Sequence, residues 1–250
     1  MKLTGPVPGG PCWAELTTPD IRAAQAFYAA LFGWRVETDP RPEAGGYATA
    51  HIGEDAVAAL SPARRRDERP AWTVAFATED AGATADAVRA AGGTLLVEPT
   101  DVLDRGRFAV ASDPAGAVFS LWQARAFAGA GRLNDAGTLT WTELRTPDPE
   151  GARAFYPAVF GWTVDASDHF THWGVDGADF GGAKEQDDDE RAGSPPLWLP
   201  YFAVADAEVT AAGVLSAGGE QLVLPRRVPG GPCVATLRDP HGAAFGVLTP

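Results

Sequence analysis

Lysine is almost missing from this chain. Lys2 and Lys184 are the only two in 250 residues, and 33 acidic side chains against 20 basic ones leave a formal charge of −13. A chain so short of cations has no basic stripe to neutralise phosphates, which argues against a nucleic-acid partner. Cysteine is nearly as scarce: Cys12 and Cys233 provide neither a zinc cluster nor a disulfide framework. No uncharged apolar run reaches the roughly 18 residues of a membrane span. The opening MKLTGPVPGGPCW lacks the apolar stretch of a secretory signal, so the expected location is the cytoplasm and no membrane partner is expected. What remains is an ordinary globular composition, 45% hydrophobic and 21% charged, with material for one large core or two of half the size.

An internal repeat organises the chain. Residues 13–34 read WAELTTPDIRAAQAFYAALFGW and residues 141–162 read WTELRTPDPEGARAFYPAVFGW, so that Trp13, Glu15, Leu16, Asp20, Phe27, Tyr28, Phe32, Gly33 and Trp34 all recur at a spacing of 128. At a spacing of 126, Trp72 recurs as Trp198, Phe76 as Phe202, Gly92-Gly93 as Gly218-Gly219, and Asp113-Pro114 as Asp239-Pro240. The Gly- and Ala-rich stretch 124–137 has no counterpart and reads as a linker, which divides the chain into domains 1–125 and 126–250.

Within each copy, strand and helix signals alternate. In the first copy a strand at 12–17 runs into Thr-Pro-Asp, where Asp20 is placed to cap a helix over 21–32 that stops at Gly33. Three runs with strand character follow, at 34–37, 46–52 and 56–60. The cycle then repeats, with a strand at 73–77, a helix at 81–91 and strands at 94–98, 107–112 and 118–123. Each copy is thus two βαβββ units, and the chain holds four.

A βαβββ unit in tandem, opening on L-x-x-x-D-x-x-x-x-x-x-F-Y-x-x-x-x-G (Leu16, Asp20, Phe27, Tyr28, Gly33) and closing on D-P-x-G-x-x-F, resembles the vicinal oxygen chelate superfamily. Glyoxalase I, extradiol dioxygenases and bleomycin-resistance proteins are among its members. The resemblance implies an α+β fold of two glyoxalase-like domains, each curling its sheet into a cup that holds a ligand or a metal. In metal-using members a histidine or glutamine ligand lies seven residues before the helix-capping Asp, and a glutamate ligand four residues after the Gly of DPxG. Here those positions hold Trp13 and Trp141, and Ser120 and Gly246. Indole has no lone pair to give a metal and glycine has no side chain, so no metal is expected. His169-x-x-His172 is the one substitute pair, but residues three apart on a strand point to opposite faces. His51 and His172 each stand two residues before a glycine, suggesting matching places in the two copies.

Because the ligand positions point into the cup, strand alternation puts Trp13, Glu15 and Thr17 on the wall of the first cup together with Ser120 and Trp122. Trp141, Glu143 and Arg145 fall on the wall of the second together with Gly246, and Trp173 lies near it. His172 joins the candidate ligand-binding residues of that second cup. Glu143 beside Arg145 could pair or grip a polar ligand, and Glu143 is the candidate catalytic base. Glu15 has no such arginine, so a raised pKa is expected for it. Gly246 leaves space that Ser120 does not, so the second cup is expected to be the roomier. The acidic run 185–190 and the arginines 64–66 read as solvated loops, and Trp34 and Trp162 as packing residues.

Aromatic walls without metal ligands favour a metal-free cup that binds a flat aromatic or hydrophobic small molecule, in natural-product resistance or biosynthesis. The alternative is a cofactor-independent tailoring enzyme that transfers protons through Glu143 or Glu15. A metal-dependent glyoxalase or dioxygenase is disfavoured at all four ligand positions, and no flavin, haem or iron motif points to a cofactor. A second copy of the chain, as a homodimer, is the candidate protein partner.

Overall fold

A computed structural model describes residues 5–167 and 170–249. His169 lies outside the described residues, so the His169–His172 pair does too. The first half contains β1 (Pro11–Thr18), α1 (Ile21–Phe32), β2 (Arg35–Thr38), β3 (Ala48–Ile52), β4 (Asp55–Pro62), β5 (Ala71–Ala77), α2 (Ala81–Ala90), β6 (Thr94–Val102), β7 (Gly106–Ser112) and β8 (Val118–Ala124). The second half follows with β9 (Leu139–Thr146), α3 (Pro149–Phe160), β10 (Thr163–Ala166), β11 (Thr171–Val175), β12 (Ala178–Glu185), α4 (Asp188–Gly193), β13 (Leu197–Ala203), α5 (Ala207–Ser216), β14 (Glu220–Arg227), β15 (Cys233–Arg238) and β16 (Ala244–Thr249). Apart from α4, this is a mixed α+β chain of four βαβββ units.

Local chemistry sets the helix limits. Asp20 accepts a hydrogen bond from Ala23 N at the start of α1, and Gly33 closes the helix in the left-handed region at φ 71°. Asp148 and Gly161 do the same for α3. The sheets pair within each half. Strands β2-β3-β4-β1-β5-β8-β7-β6 form one curved sheet. Strands β10-β11-β12-β9-β13-β16-β15-β14 form the other. Among the described residues a single bridge, Leu197 to Val118, joins them.

Packing behind the sheets runs across the halves. Phe27, Tyr28, Phe32 and Trp34, on and just after α1, share a core with Val214 of α5, Phe202 and Phe245. Phe155, Tyr156 and Trp162, on and just after α3, share another with Val88 of α2, Phe76 and Phe119. Trp173, expected near a cavity wall, is instead fully buried in this second core.

Reciprocal hydrogen bonds lock this exchange. Trp72 Nε1 donates to the Tyr28 hydroxyl (3.0 Å), which donates to Asp239 Oδ2 in the other half (3.0 Å). In mirror fashion Trp198 Nε1 donates to Tyr156 (2.8 Å), and Tyr156 donates to Asp113 Oδ2 (3.0 Å). Trp34 Nε1 reaches the carbonyl of Gly137, and Trp162 Nε1 that of Gly9, each at 2.8 Å. Burial, reinforced by the nearby aspartates, pushes both tyrosine pKa values well up, so both phenols keep the proton they donate. The repeated Phe-Tyr, Gly-Trp and Asp-Pro motifs are therefore the parts of a clasp that each half extends to the other.

Candidate functional site in the first cup

With the helices covering one face of each sheet, the other face forms the cup. Register aligns Trp13 with Ala75 and Ala75 with Ser120 across its floor. A small residue at the centre of this row leaves room, and a cavity of about 620 Å³ opens above it. Trp13, Glu15, Ser120 and Trp122 line the cavity as the strand alternation requires, whereas Thr17 at the end of β1 does not reach it.

Much of the wall comes from residues that the strand pattern did not nominate. Tyr47, just ahead of β3, accepts a hydrogen bond from Trp13 Nε1 (3.1 Å). Phe127 belongs to the stretch expected to be a free linker, yet it packs edge-on against Trp13 at 5.0 Å and takes Trp122 Nε1 on its carbonyl (3.0 Å). The chain continues along the cup, with Ala130 N bonded to Cys12 O, Gly131 N to Ala56 O, and Arg132 paired with Asp55. A signal did exist in the sequence, since an aromatic residue inside a Gly-Ala stretch is out of place in a flexible linker. Arg64 was read with a solvated loop, but it also lines the cavity. Arg105 lies 4.8 Å over the Phe127 ring at the mouth, near the Asp39–Arg41 ion pair.

Glu15 and Asp39, both lining the cavity, are shifted in opposite directions, Asp39 being held down to about 2 by its hydrogen bonds to Arg41. Burial raises the Glu15 pKa above the usual 4.5, and the Ser61 hydroxyl and Arg64, which both favour the charged form, only partly offset this. Tyr47 is pushed up by burial and then by the nearby Glu15 charge. Burial lifts the Cys12 thiol to about 12, so Cys12 is no nucleophile near neutral pH.

The second cup has the same row, Trp141 beside Tyr201 beside Gly246, with opposite consequences. The room expected beside Gly246 is taken by the Tyr201 ring, which lies directly over the glycine where any Cβ would clash. The expectation of a roomier second cup is thus overturned by a residue on the strand paired with the one that suggested it. Arg145 Nε bonds Glu143 Oε1 (2.8 Å), its NH1 bonds Glu190 Oε1 (2.6 Å) and its NH2 bonds Thr236 Oγ1 (3.0 Å). The Tyr201 hydroxyl adds a contact to Glu143 Oε1 at 3.3 Å. Only 11% of the Arg145 side chain and 12% of the Glu143 side chain remain exposed. Burial alone lowers the Arg145 pKa, but the surrounding acids, above all Glu143, carry it above its ordinary value. Glu143 is therefore committed to its arginine, and its carboxylate is poorly placed to be a base.

The acidic run that read as solvated is partly structural. Asp187 and Glu190 form a capping box on α4, and Glu190 turns inward to Arg145 and Lys184. His172 lies 5.9 Å from Trp141, ring to ring, and 3.6 Å from an Asp179 carboxylate oxygen. It does not match His51. Thr49 pairs with Glu37 and His172 with Asp165, the residue that matches Glu37 in the repeat, so Thr49 is the position equivalent to His172.

The residues present do not fit a metal in either cup. The first row offers one hydroxyl and the second one phenol already facing a carboxylate; the described residues lining the first cavity include no histidine or cysteine, and Glu143 and Glu190 of the second cup are both bonded to Arg145. Among the described residues no three His, Cys, Asp or Glu side chains converge on a metal position. Among the same residues no helix is long and apolar enough to cross a membrane.

Comparison with known proteins places this geometry in a family. A profile of the Glyoxalase/Bleomycin resistance protein/Dioxygenase superfamily matches residues 12–121 and again 138–247. The chain is 39% identical over 251 residues to "Putative glyoxylase CFP32" of Mycobacterium tuberculosis, across 97% of this chain and 95% of that one. It is 36% identical over 266 residues to "Anthracycline biosynthesis protein DnrV" of Streptomyces peucetius, across 98% and 95%. Among solved structures, an Mn(II)-bound glyoxalase from Novosphingobium aromaticivorans superimposes with a TM-score of 0.69 at 16% identity, over 97% of this chain and 82% of that one, a likeness of fold alone.

Proposed function

The chain belongs to the Glyoxalase/Bleomycin resistance protein/Dioxygenase superfamily, and from that premise we propose that its first cup is a metal-free binding site for a flat aromatic small molecule of natural-product biosynthesis. The observation that carries this reading is the open cavity of about 620 Å³ walled by Trp13, Tyr47, Phe108, Trp122 and Phe127. Its size falls within the roughly 300–1,000 Å³ of small-molecule sites, and indole and phenyl faces suit a planar ring system. The likeness to an anthracycline biosynthesis protein favours a fused polycyclic polyketide as that ring system. The donor set supports the absence of a metal, because the described residues lining the cavity include no histidine or cysteine, and a half-buried Glu15 among indoles does not make a coordination site.

Titration of tryptophan fluorescence with a planar anthraquinone tests the proposal. Saturable quenching is expected, and Trp122→Ala should weaken it by roughly tenfold or more, the loss of about 1.4 kcal/mol of ring contact. A flat response across a panel of planar polyketides would overturn the reading, as would stoichiometric Zn, Ni, Mn or Fe in the purified protein.

A further inference from the structure

Glu15 and Tyr47 do more than shape a wall. Both line the same cavity, and each lies within electrostatic reach of the other. The tyrosine is also oriented: its oxygen accepts the Trp13 indole N–H, which leaves its own O–H to donate elsewhere. Trp13 thus occupies the position from which a metal would be held and instead fixes a hydrogen-bond donor in the cavity that Glu15 also lines. A carboxylate and a fixed O–H donor lining one aromatic-walled cavity are the groups needed to remove a proton from carbon and stabilise the oxyanion that results.

We propose that the first cup catalyses metal-independent proton transfer on an enolisable polycyclic ketone, with Glu15 moving the proton and the Tyr47 hydroxyl holding the enolate oxygen. This rests on the binding reading above. The Glu15 carboxylate takes the proton from the carbon α to the carbonyl, or from a conjugated position. The C–H electron pair becomes part of the new C=C bond, and the carbonyl π pair moves to oxygen, where Tyr47 donates to it. Return of the proton from the Glu15 carboxylic acid to oxygen or to a conjugated carbon completes a tautomerisation with no net oxidation and no co-reactant. Burial favours the chemistry by making Glu15 a stronger base than a solvated carboxylate.

Anthrone, a flat tricyclic ketone with an exchangeable C10 methylene, is a suitable probe. Its hydrogen–deuterium exchange is followed by NMR in anaerobic deuterated buffer at saturating probe, alongside fluorescence quenching for binding. Wild-type protein should accelerate exchange over buffer. Glu15→Gln should reduce the acceleration by about 100-fold or more and Tyr47→Phe by about tenfold or more, with binding little changed in both. If anthrone binds but exchange at saturation is no faster than in buffer, or is the same in Glu15→Gln as in wild type, the proton-transfer proposal is overturned and the binding reading stands. If neither anthrone nor the anthraquinone quenches, both fail together.

Discussion

The two cups share a backbone plan and differ in what stands at the centre of the floor. Ala75 leaves the first open, whereas Tyr201 covers Gly246 in the second and completes a buried network with Glu143, Arg145, Glu190 and Thr236. Duplication thus supplied two concave faces, of which one keeps an open cavity and the other fills the matching space with its own side chains. A cup that satisfies its polar groups internally leaves no room for a guest, whereas the cavity lined by Glu15 and Tyr47 is the one to which the proposed binding is assigned.

The most severe way to break this comparison is to make the first cup resemble the second. Ala75→Tyr should fill the cavity and abolish quenching by planar ligands while leaving thermal unfolding near that of wild type. If the ligand still binds at full affinity, the site is elsewhere. In the second cup, Arg145→Ala strands two partly buried carboxylates and should cost about 3–5 kcal/mol in urea denaturation, the range for one partner lost from a buried pair. Arg64→Ala, at the exposed rim of the first cup, should change stability by less than about 0.5 kcal/mol. Equal losses from the two arginines would erase the distinction between a structural cup and a binding cup.

A smaller effect is expected at the clasp. Tyr28→Phe and Tyr156→Phe each leave a buried aspartate oxygen and an indole N–H without the phenol, and should cost roughly 1–3 kcal/mol apiece. Similar losses in the two variants would show that the halves grip each other equally. Glu15→Gln should have the mildest consequence for stability and an instructive pH dependence. The folded-state pKa of Glu15 is raised, so its native environment is most favourable when the carboxyl is protonated, below the ordinary value of 4.5. That contribution is lost as pH rises from 4.5 through the folded-state pKa. The glutamine variant, always neutral, should therefore melt higher than wild type at pH 7 and lose that advantage below about pH 4. A gain that persists unchanged in acid would mean that burial of the charge is not its origin.

Regular elements were readable from local rules. The limits of α1 followed from Asp20 and Gly33, and the strands predicted in the first copy fell within a residue or two of their ends except β6, which runs four residues further to Val102, because caps and alternation act between neighbours in the chain. The cup-facing placement of Trp13, Glu15, Ser120 and Trp122 followed from alternation too. The errors share a different cause. Thr17 has the right parity but lies beyond the cavity, Trp173 points into a helix-backed core, and the vacancy at Gly246 is filled from β13. Phe127 and Glu190 were assigned to a linker and a solvated loop because nothing local announces that a connecting segment folds back onto a cup.

The amino-acid order was sufficient for the duplication, the four βαβββ units and the lack of metal donors where metal-using relatives carry them. Those properties depend on residue identity and short spacing. Which half packs on which and which cup stays open were decided only in three dimensions. Each depends on side chains from strands or loops distant in sequence arriving at one point, and a cavity is the space they fail to fill.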